Sequence, residues 1–195
     1  QRQQVPHAQL FWGPEGNVSL SLALAFITYL NCQNRLEEDA CGQCASCLKM
    51  KKLVHPDVKF VFPTSATKQV IGKSVVSTNF LKTWRTFLHE HPYGHDSDWS
   101  HYLNSENKQL SISKEEVRGI IQAVSLKAFE GTYKVVLIWL PEYLHIAAAN
   151  ALLKVIEEPP PYTFFLLVSV HPDRVLNTIR SRTQQIYIPA LTDRA

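Results

Sequence analysis

The sequence predicts a three-layer α/β domain, with a five-stranded parallel sheet between two layers of helices. Three observations carry this. Strand-like and helix-like apolar segments alternate along the chain, the pattern of repeated βαβ units. Most strand-like runs are continuous β-branched or aromatic stretches, as in strands buried on both faces. A glycine-containing turn, Gly13-Pro14-Glu15-Gly16, joins the first strand to the first helix in the outline of a phosphate-binding loop.

The elements follow in order. Residues 9–12 form a first strand and residues 20–31 a helix after the loop. Residues 58–62 form the second strand. Ser113-Lys114-Glu115-Glu116 is a capping box, with serine at the cap and glutamate three later. It opens a helix whose Val117, Ile120, Ile121 and Val124 share one face. Residues 135–140 give the third strand. The longest helix is expected over 142–158, where Pro159-Pro160-Pro161 stops it. Residues 164–169 form the fourth strand, 173–179 a short helix and 185–188 the fifth strand.

Two segments interrupt this regular wind. One is residues 32–47. The other is residues 63–110, polar and aromatic, with weak periodicity. A connection that long is functional, disordered or an insertion. Within it, residues 80–89 can form one amphipathic helix. His89, His91, His95 and His101 lack regular spacing and read as a flexible histidine-rich loop rather than a metal site.

Length and composition set bounds. The 195 residues suffice for one domain with a full core. A net charge of +3 permits a nucleic-acid partner without arguing for one. No apolar run is long enough to span a bilayer and no secretory signal is visible, so a cytoplasmic protein without membrane partners is expected. The chain opens on Gln1 and its end, Pro189 to Ala195, stops abruptly; it is read as a fragment or as a chain whose disordered first segment is missing.

The loop carries the first chemical signal. A working loop reads G-x-x-x-x-G-K-[ST]. Its lysine reaches the β- and γ-phosphates and its hydroxyl binds Mg²⁺. Gly13 and Gly16 remain, but Val18, Ser19 and Leu20 stand at the last three positions. No functional ATP site is expected. A phosphate visiting the helix N-terminus would bind weakly.

The second signal is C-x8-C-x2-C-x2-C, formed by Cys32, Cys41, Cys44 and Cys47. Four thiolates suit tetrahedral Zn²⁺, and Gly42 supplies the turn between Cys41 and Cys44. Four sulfurs leave no open coordination position, so a structural zinc is expected. The alternative is a pair of disulfides in a secreted protein, which the missing signal disfavours.

Loop, cysteine knuckle and His55-Pro56-Asp57, in that order, resemble the bacterial clamp-loader subunits of DNA polymerase III. Asn150-Ala151-Leu152-Leu153-Lys154-Val155-Ile156-Glu157-Glu158-Pro159-Pro160 resembles that family's N-A-L-L-K-x-[IL]-E-E-P-P helix. Ser181-Arg182-Thr183 is similar to its S-R-C segment, with threonine for cysteine. The resemblance covers nearly the whole chain except 63–110.

The resemblance implies an AAA+ (P-loop-type) domain over 1–189 with a zinc knuckle at 32–47 and an insertion at 63–110. A helical lid would begin at 190–195. ATPase members, gamma and tau, keep the loop lysine and an acidic pair where Trp139 and Leu140 stand here. Loss of both fits the non-hydrolysing delta-prime type, a scaffold. Its partners would be gamma/tau and delta subunits and, indirectly, the sliding clamp and primed DNA. Arg182 would act in trans as an arginine finger in a neighbour's ATP site, with Arg180 a solvated neighbour. Lys154, Glu157 and Glu158 are assigned to packing and interface. Two other readings stay open: a divergent gamma/tau-like ATP-binding subunit, and a zinc-dependent DNA-binding adaptor using Lys49, Lys51 and Lys52 beside the knuckle.

Overall fold

A computed structural model describes residues 5–14, 16–105 and 108–191. Its strands are β1 (Ala8–Trp12), β2 (Val58–Val61), β3 (Lys134–Trp139), β4 (Thr163–Ser169) and β5 (Gln184–Tyr187). They form one sheet in the order β2-β3-β4-β1-β5, and every pairing is parallel. The predicted five-stranded parallel sheet is therefore present. Parallel strands cannot be joined by a hairpin, so each connection must cross a face of the sheet.

The helices are α1 (Ser19–Asn31), α2 (Ala45–Lys51), α3 (Leu81–Glu90), α4 (Asp96–Tyr102), α5 (Lys114–Ser125), α6 (Ile146–Glu157) and α7 (Asn177–Arg180). Strand pleating divides the interior into two cores. Val135, Leu137 and Trp139 of β3 face one core, with Ala23 and Ile27 of α1, Met50 of α2, Trp84 and Phe87 of α3 and Trp99 of α4. Val136 and Ile138 face the other, with Val117 and Ile120 of α5, Leu152 and Ile156 of α6 and Ile179 of α7. Burial on both faces explains why β3 and β4 read as unbroken apolar runs.

Sequence and structure differ in several places. Segment 63–110 is ordered over its described residues, so its histidine-rich stretch is not a flexible loop. Hydrogen bonds of 3.0 Å in both directions between Thr64 and Ser111 close its base. Its helices α3 and α4 bury Trp84, Phe87 and Trp99 completely. The Trp99 indole donates to the Pro63 carbonyl at 2.8 Å. Glu106 and Asn107 of this segment lie outside the described residues.

The long helix begins at Ile146, not 142, because Pro141–Tyr143 form a separate 3-10 turn. The expected 173–179 helix splits into a 3-10 turn, Pro172–Arg174, and α7. Ser113 caps α5 by accepting the Glu116 N–H at 3.3 Å. The Glu116 carboxylate, however, turns inward. It accepts the Ser77 N–H at 2.5 Å and lies 3.3 Å from the Lys59 ammonium. Of the expected lid start at 190–195, Ala190 bridges antiparallel to Asn17, and residues 192–195 lie outside the described residues. No helix among the described residues is long and apolar enough to cross a membrane.

Candidate functional site

The loop after β1 depends on two glycines. A Cβ at Gly13 would lie 2.1 Å from the Ile188 carbonyl oxygen, so only glycine fits. Gly16 has φ +77°, a left-handed value glycine adopts without strain. Glu15 lies outside the described residues. Ser19 opens α1 and is buried. Its N–H, one of the orphan donors of the helix start, donates to the Asn17 Oδ1 at 2.6 Å. An internal oxygen thus takes a donor that an anion would otherwise use. The Ser19 hydroxyl is buried without a hydrogen-bond partner and brings no charge.

Across the sheet, Trp139 ends β3 and is 2% exposed. Its ring centroid lies 6.3 Å from Trp84, 5.9 Å from Phe87 and 6.4 Å from Trp99. Those three residues all belong to the insertion. Leu140 follows, fully buried, at φ +59°, a region an L side chain visits at a cost. Its N–H donates to the Val168 carbonyl at 2.8 Å.

Beside this pair, Glu142 Oε1 accepts the His171 N–H at 3.3 Å, and the Tyr143 hydroxyl donates to Asp96 at 2.6 Å. Burial pushes the Glu142 carboxyl up to about 7, against the opposing hydrogen bonds of its own backbone, Ser169, His171 and Val170. Burial also raises the Tyr143 phenol, and Asp96 reinforces the shift.

The knuckle places Cys32 at the end of α1 and Cys47 in the first turn of α2. Gly42 turns the chain between them at φ +69°, as the spacing predicts. All four thiols are free, and their sulfurs lie within 4.8 Å of one another. Sulfurs at about 2.3 Å from one tetrahedral ion stand roughly 3.8 Å apart, so a small inward movement closes a four-sulfur site. The Cys41 N–H points at the Cys32 sulfur (3.3 Å) and the Cys44 N–H at the Cys41 sulfur (3.4 Å). Such donors stabilise thiolates. Burial works to raise the Cys44 thiol, but the Cys47 and Gln33 N–H groups and the neighbouring thiols bring it down to about 6. Burial, with the thiols around it, pushes Cys47 up to about 12. These residues fit a metal ion held by four sulfurs.

A polar clamp joins the knuckle to the sheet. The buried Asp57 carboxylate accepts the N–H groups of Phe129 (2.5 Å), Glu130 (2.9 Å) and Gly131 (2.7 Å). Burial opposes ionisation of Asp57, but these three donors outweigh it and hold the carboxyl below its usual range. Asn31, next to Cys32, exchanges two 3.0 Å hydrogen bonds with the Tyr133 backbone. Lys49 pairs with Glu130. That leaves Lys51 and Lys52 as the exposed part of the expected basic patch, a weaker footprint for DNA.

Arg182 lies just past α7. Its Nε donates to the Glu157 carboxylate and its Nη1 to the Thr178 carbonyl at 2.9 Å. The guanidinium is held, not free in solvent. Arg180 is half-buried and pairs with Asp173 at 3.4 Å, so it is not merely solvated. The structure brings the loop, Trp139 and Leu140 together at the carboxyl ends of β1, β4 and β3. The knuckle, Asp57 and Lys49 gather at the far end of α1.

Sequence reasoning missed the Asp57 clamp, the Trp84–Trp99–Trp139 cluster and the Glu157–Arg182 pair. The tryptophans of 63–110 were the available signal for the second. The other two are long-range pairings with no local trace.

The fold and site define an α/β domain with a five-stranded parallel sheet, whose first loop carries Gly13 and Gly16 but no lysine. The chain matches the family described as "DNA polymerase III, delta subunit" over residues 1–192. It is 34% identical over 184 residues to a DNA polymerase III subunit delta' of Yersinia pestis, covering 93% of this chain and 41% of that protein. A subunit delta' of Pseudomonas aeruginosa is 31% identical over 188 residues, covering 96% and 44%. The crystal structure of a DNA polymerase III gamma subunit-related protein of Thermotoga maritima superposes with a TM-score of 0.50 at 15% identity, covering 97% of this chain and 43% of that one. This likeness speaks for the fold alone. The chain belongs to the delta-prime family of DNA polymerase III clamp-loader subunits. It spans less than half the length of these relatives.

Proposed function

We propose that this domain is the non-hydrolysing scaffold of a clamp loader in DNA replication and completes an ATP site that belongs to a neighbouring subunit. The observation that carries the reading is the loss of both catalytic halves at once. Ser19 replaces the phosphate-binding lysine while Asn17 takes its N–H. Trp139 and Leu140 replace the acidic pair and are sealed in the core. Neither an indole nor an isobutyl group can hold Mg²⁺ or position water.

Family membership supports gamma/tau and delta subunits as partners, acting together in the cytoplasm on a sliding clamp at primed DNA. Cys32, Cys41, Cys44 and Cys47 would hold one structural Zn²⁺, which joins α1 to α2 and takes no part in hydrolysis. Arg182 is the group offered in trans. A planar guanidinium can span two phosphoryl oxygens as charge develops.

The test is to assemble the full-length subunit, wild type or Arg182→Ala, with its partners and measure DNA-stimulated ATP hydrolysis. Arginine fingers contribute roughly 10³–10⁵ in rate at their own site. The loader's total rate should fall by less, because only one of several sites loses its finger. Arg182→Lys should rescue little. Equal rates for Arg182→Ala and wild type, with assembly confirmed, would refute the reading.

A further inference from the structure

Arg182 is gripped by a residue of another sequence motif. Glu157 is the last residue of α6, and Pro159 and Pro160 keep the helix from continuing. Ile156 and Ile179, both fully buried in the same core, fix the end of α6 against α7. The Arg182 N–H donates to the Ile179 carbonyl at 3.1 Å. Two rigid helix ends therefore set Glu157 and Arg182 side by side.

The pairing has a direction. The Glu157 carboxylate takes the Arg182 Nε, on the stem side of the guanidinium. Nη1 is taken by the Thr178 carbonyl and, at 3.4 Å, by the Ser181 hydroxyl. No hydrogen bond among the described residues uses Nη2. A bidentate acid would take two of the guanidinium's nitrogens at once. This carboxylate is bonded through Nε, and the N–H groups of Nη2 stay available for a second anion.

We infer that Glu157 is the positioning residue of Arg182, fixing the guanidinium plane before a neighbouring subunit's phosphates arrive. The inference rests on the trans-acting role proposed for Arg182. Arginine carries a large rotamer entropy, and a group already held in one orientation loses less on engagement. Glu157 touches no nucleotide. Its effect runs through Arg182 alone.

The test uses the full-length subunit in the assembled loader, with Glu157→Ala, Glu157→Gln, Arg182→Ala and the Glu157→Ala/Arg182→Ala double variant. Assembly is checked by gel filtration, and DNA-stimulated hydrolysis is read as kcat and KM for ATP. Glu157→Ala should lower kcat about two- to fivefold at the affected site, the scale of an exposed ion pair, and leave KM unchanged. Glu157→Gln should recover most of that loss, since its amide oxygen still accepts from Nε. The double variant should match Arg182→Ala.

If Arg182→Ala slows the loader while Glu157→Ala equals or exceeds wild type, the positioning role is overturned and the trans role stands. A double variant slower than Arg182→Ala would also overturn it, because Glu157 would then act elsewhere. Arg182→Ala equal to wild type overturns the trans role, and this inference falls with it.

Discussion

Restoring the acidic pair should break the protein rather than revive an ATPase. The perturbation is Trp139→Asp with Leu140→Glu. Trp139 is almost wholly buried against three aromatic rings whose centroids lie within 6.4 Å. Truncating a core tryptophan costs about 3–5 kcal/mol. A carboxylate left in that hole must either lose its hydration, at several kcal/mol, or take up a proton. Leu140 is fully buried as well, so its replacement repeats the penalty. The sum passes about 6 kcal/mol, against a typical total stability of roughly 5–15 kcal/mol. At a urea m-value of about 2 kcal/mol/M, the midpoint would drop by about 3 M. Trp139→Phe keeps a ring in place and should cost only about 1–2 kcal/mol. Urea titration followed by far-UV circular dichroism, with Mg²⁺-ATP titration alongside, checks both variants. A soluble, cooperatively folded double variant with an unshifted midpoint would refute the reasoning, and Mg²⁺-ATP binding by it would do so more sharply.

Two further outcomes are expected. Reduced, freshly prepared protein should carry one Zn²⁺ per chain by elemental analysis, and Cys47→Ser should lose it. Hydrogen exchange should then rise in residues 32–47 but not in β1, β3 or β4, whose core contacts do not include the knuckle; absence of metal, or global unfolding, counts against this. Glu142 gives a pH dependence. Its folded carboxyl is raised to about 7 above an unfolded value of about 4.3, so its contribution is complete below the unfolded value and fades as pH rises through 7. Glu142→Gln should therefore narrow the gap between urea midpoints at pH 6 and pH 8, by the equivalent of about 1.3 kcal/mol; an unchanged gap would place the carboxyl in water.

The strands were legible because burial on both faces writes an unbroken apolar run, as in Val135 to Trp139. The knuckle was legible because C-x2-C spacing is local chemistry. Segment 63–110 was legible only at α3, read as an amphipathic helix over 80–89. Its other buried residues, Trp99, Leu103 and Leu110, are spread across short elements, so no longer window shows one period. The start of α6 was misplaced because Leu140 adopts a left-handed turn that leucine gives no hint of. Arg182 could be picked out by its motif, but its partner lies 25 residues away, and nothing in either segment announces the pair.

Segment 63–110 and the apolar end of β3 belong together physically. An aspartate at the end of β3 needs water or a cation beside it, so the space in front of it must stay open. Here Trp84, Phe87 and Trp99 fill that space, and Trp139 is the strand's own share of the filling. The Tyr143–Asp96 hydrogen bond fastens the turn after β3 to the first turn of α4. Once such a layer packs there, an acid at 139 is destabilising in every state of the protein. Conversely, a bare tryptophan at 139 without the layer would expose a large apolar face at the end of the sheet. Each feature is stable only with the other, and together they seal the carboxyl end of β3. The end of α6 and the α7 turn that leads to Arg182 pack Ile156 and Ile179 into the opposite core. The surface proposed to serve a neighbour's ATP therefore rests on a core separate from the aromatic layer that seals β3.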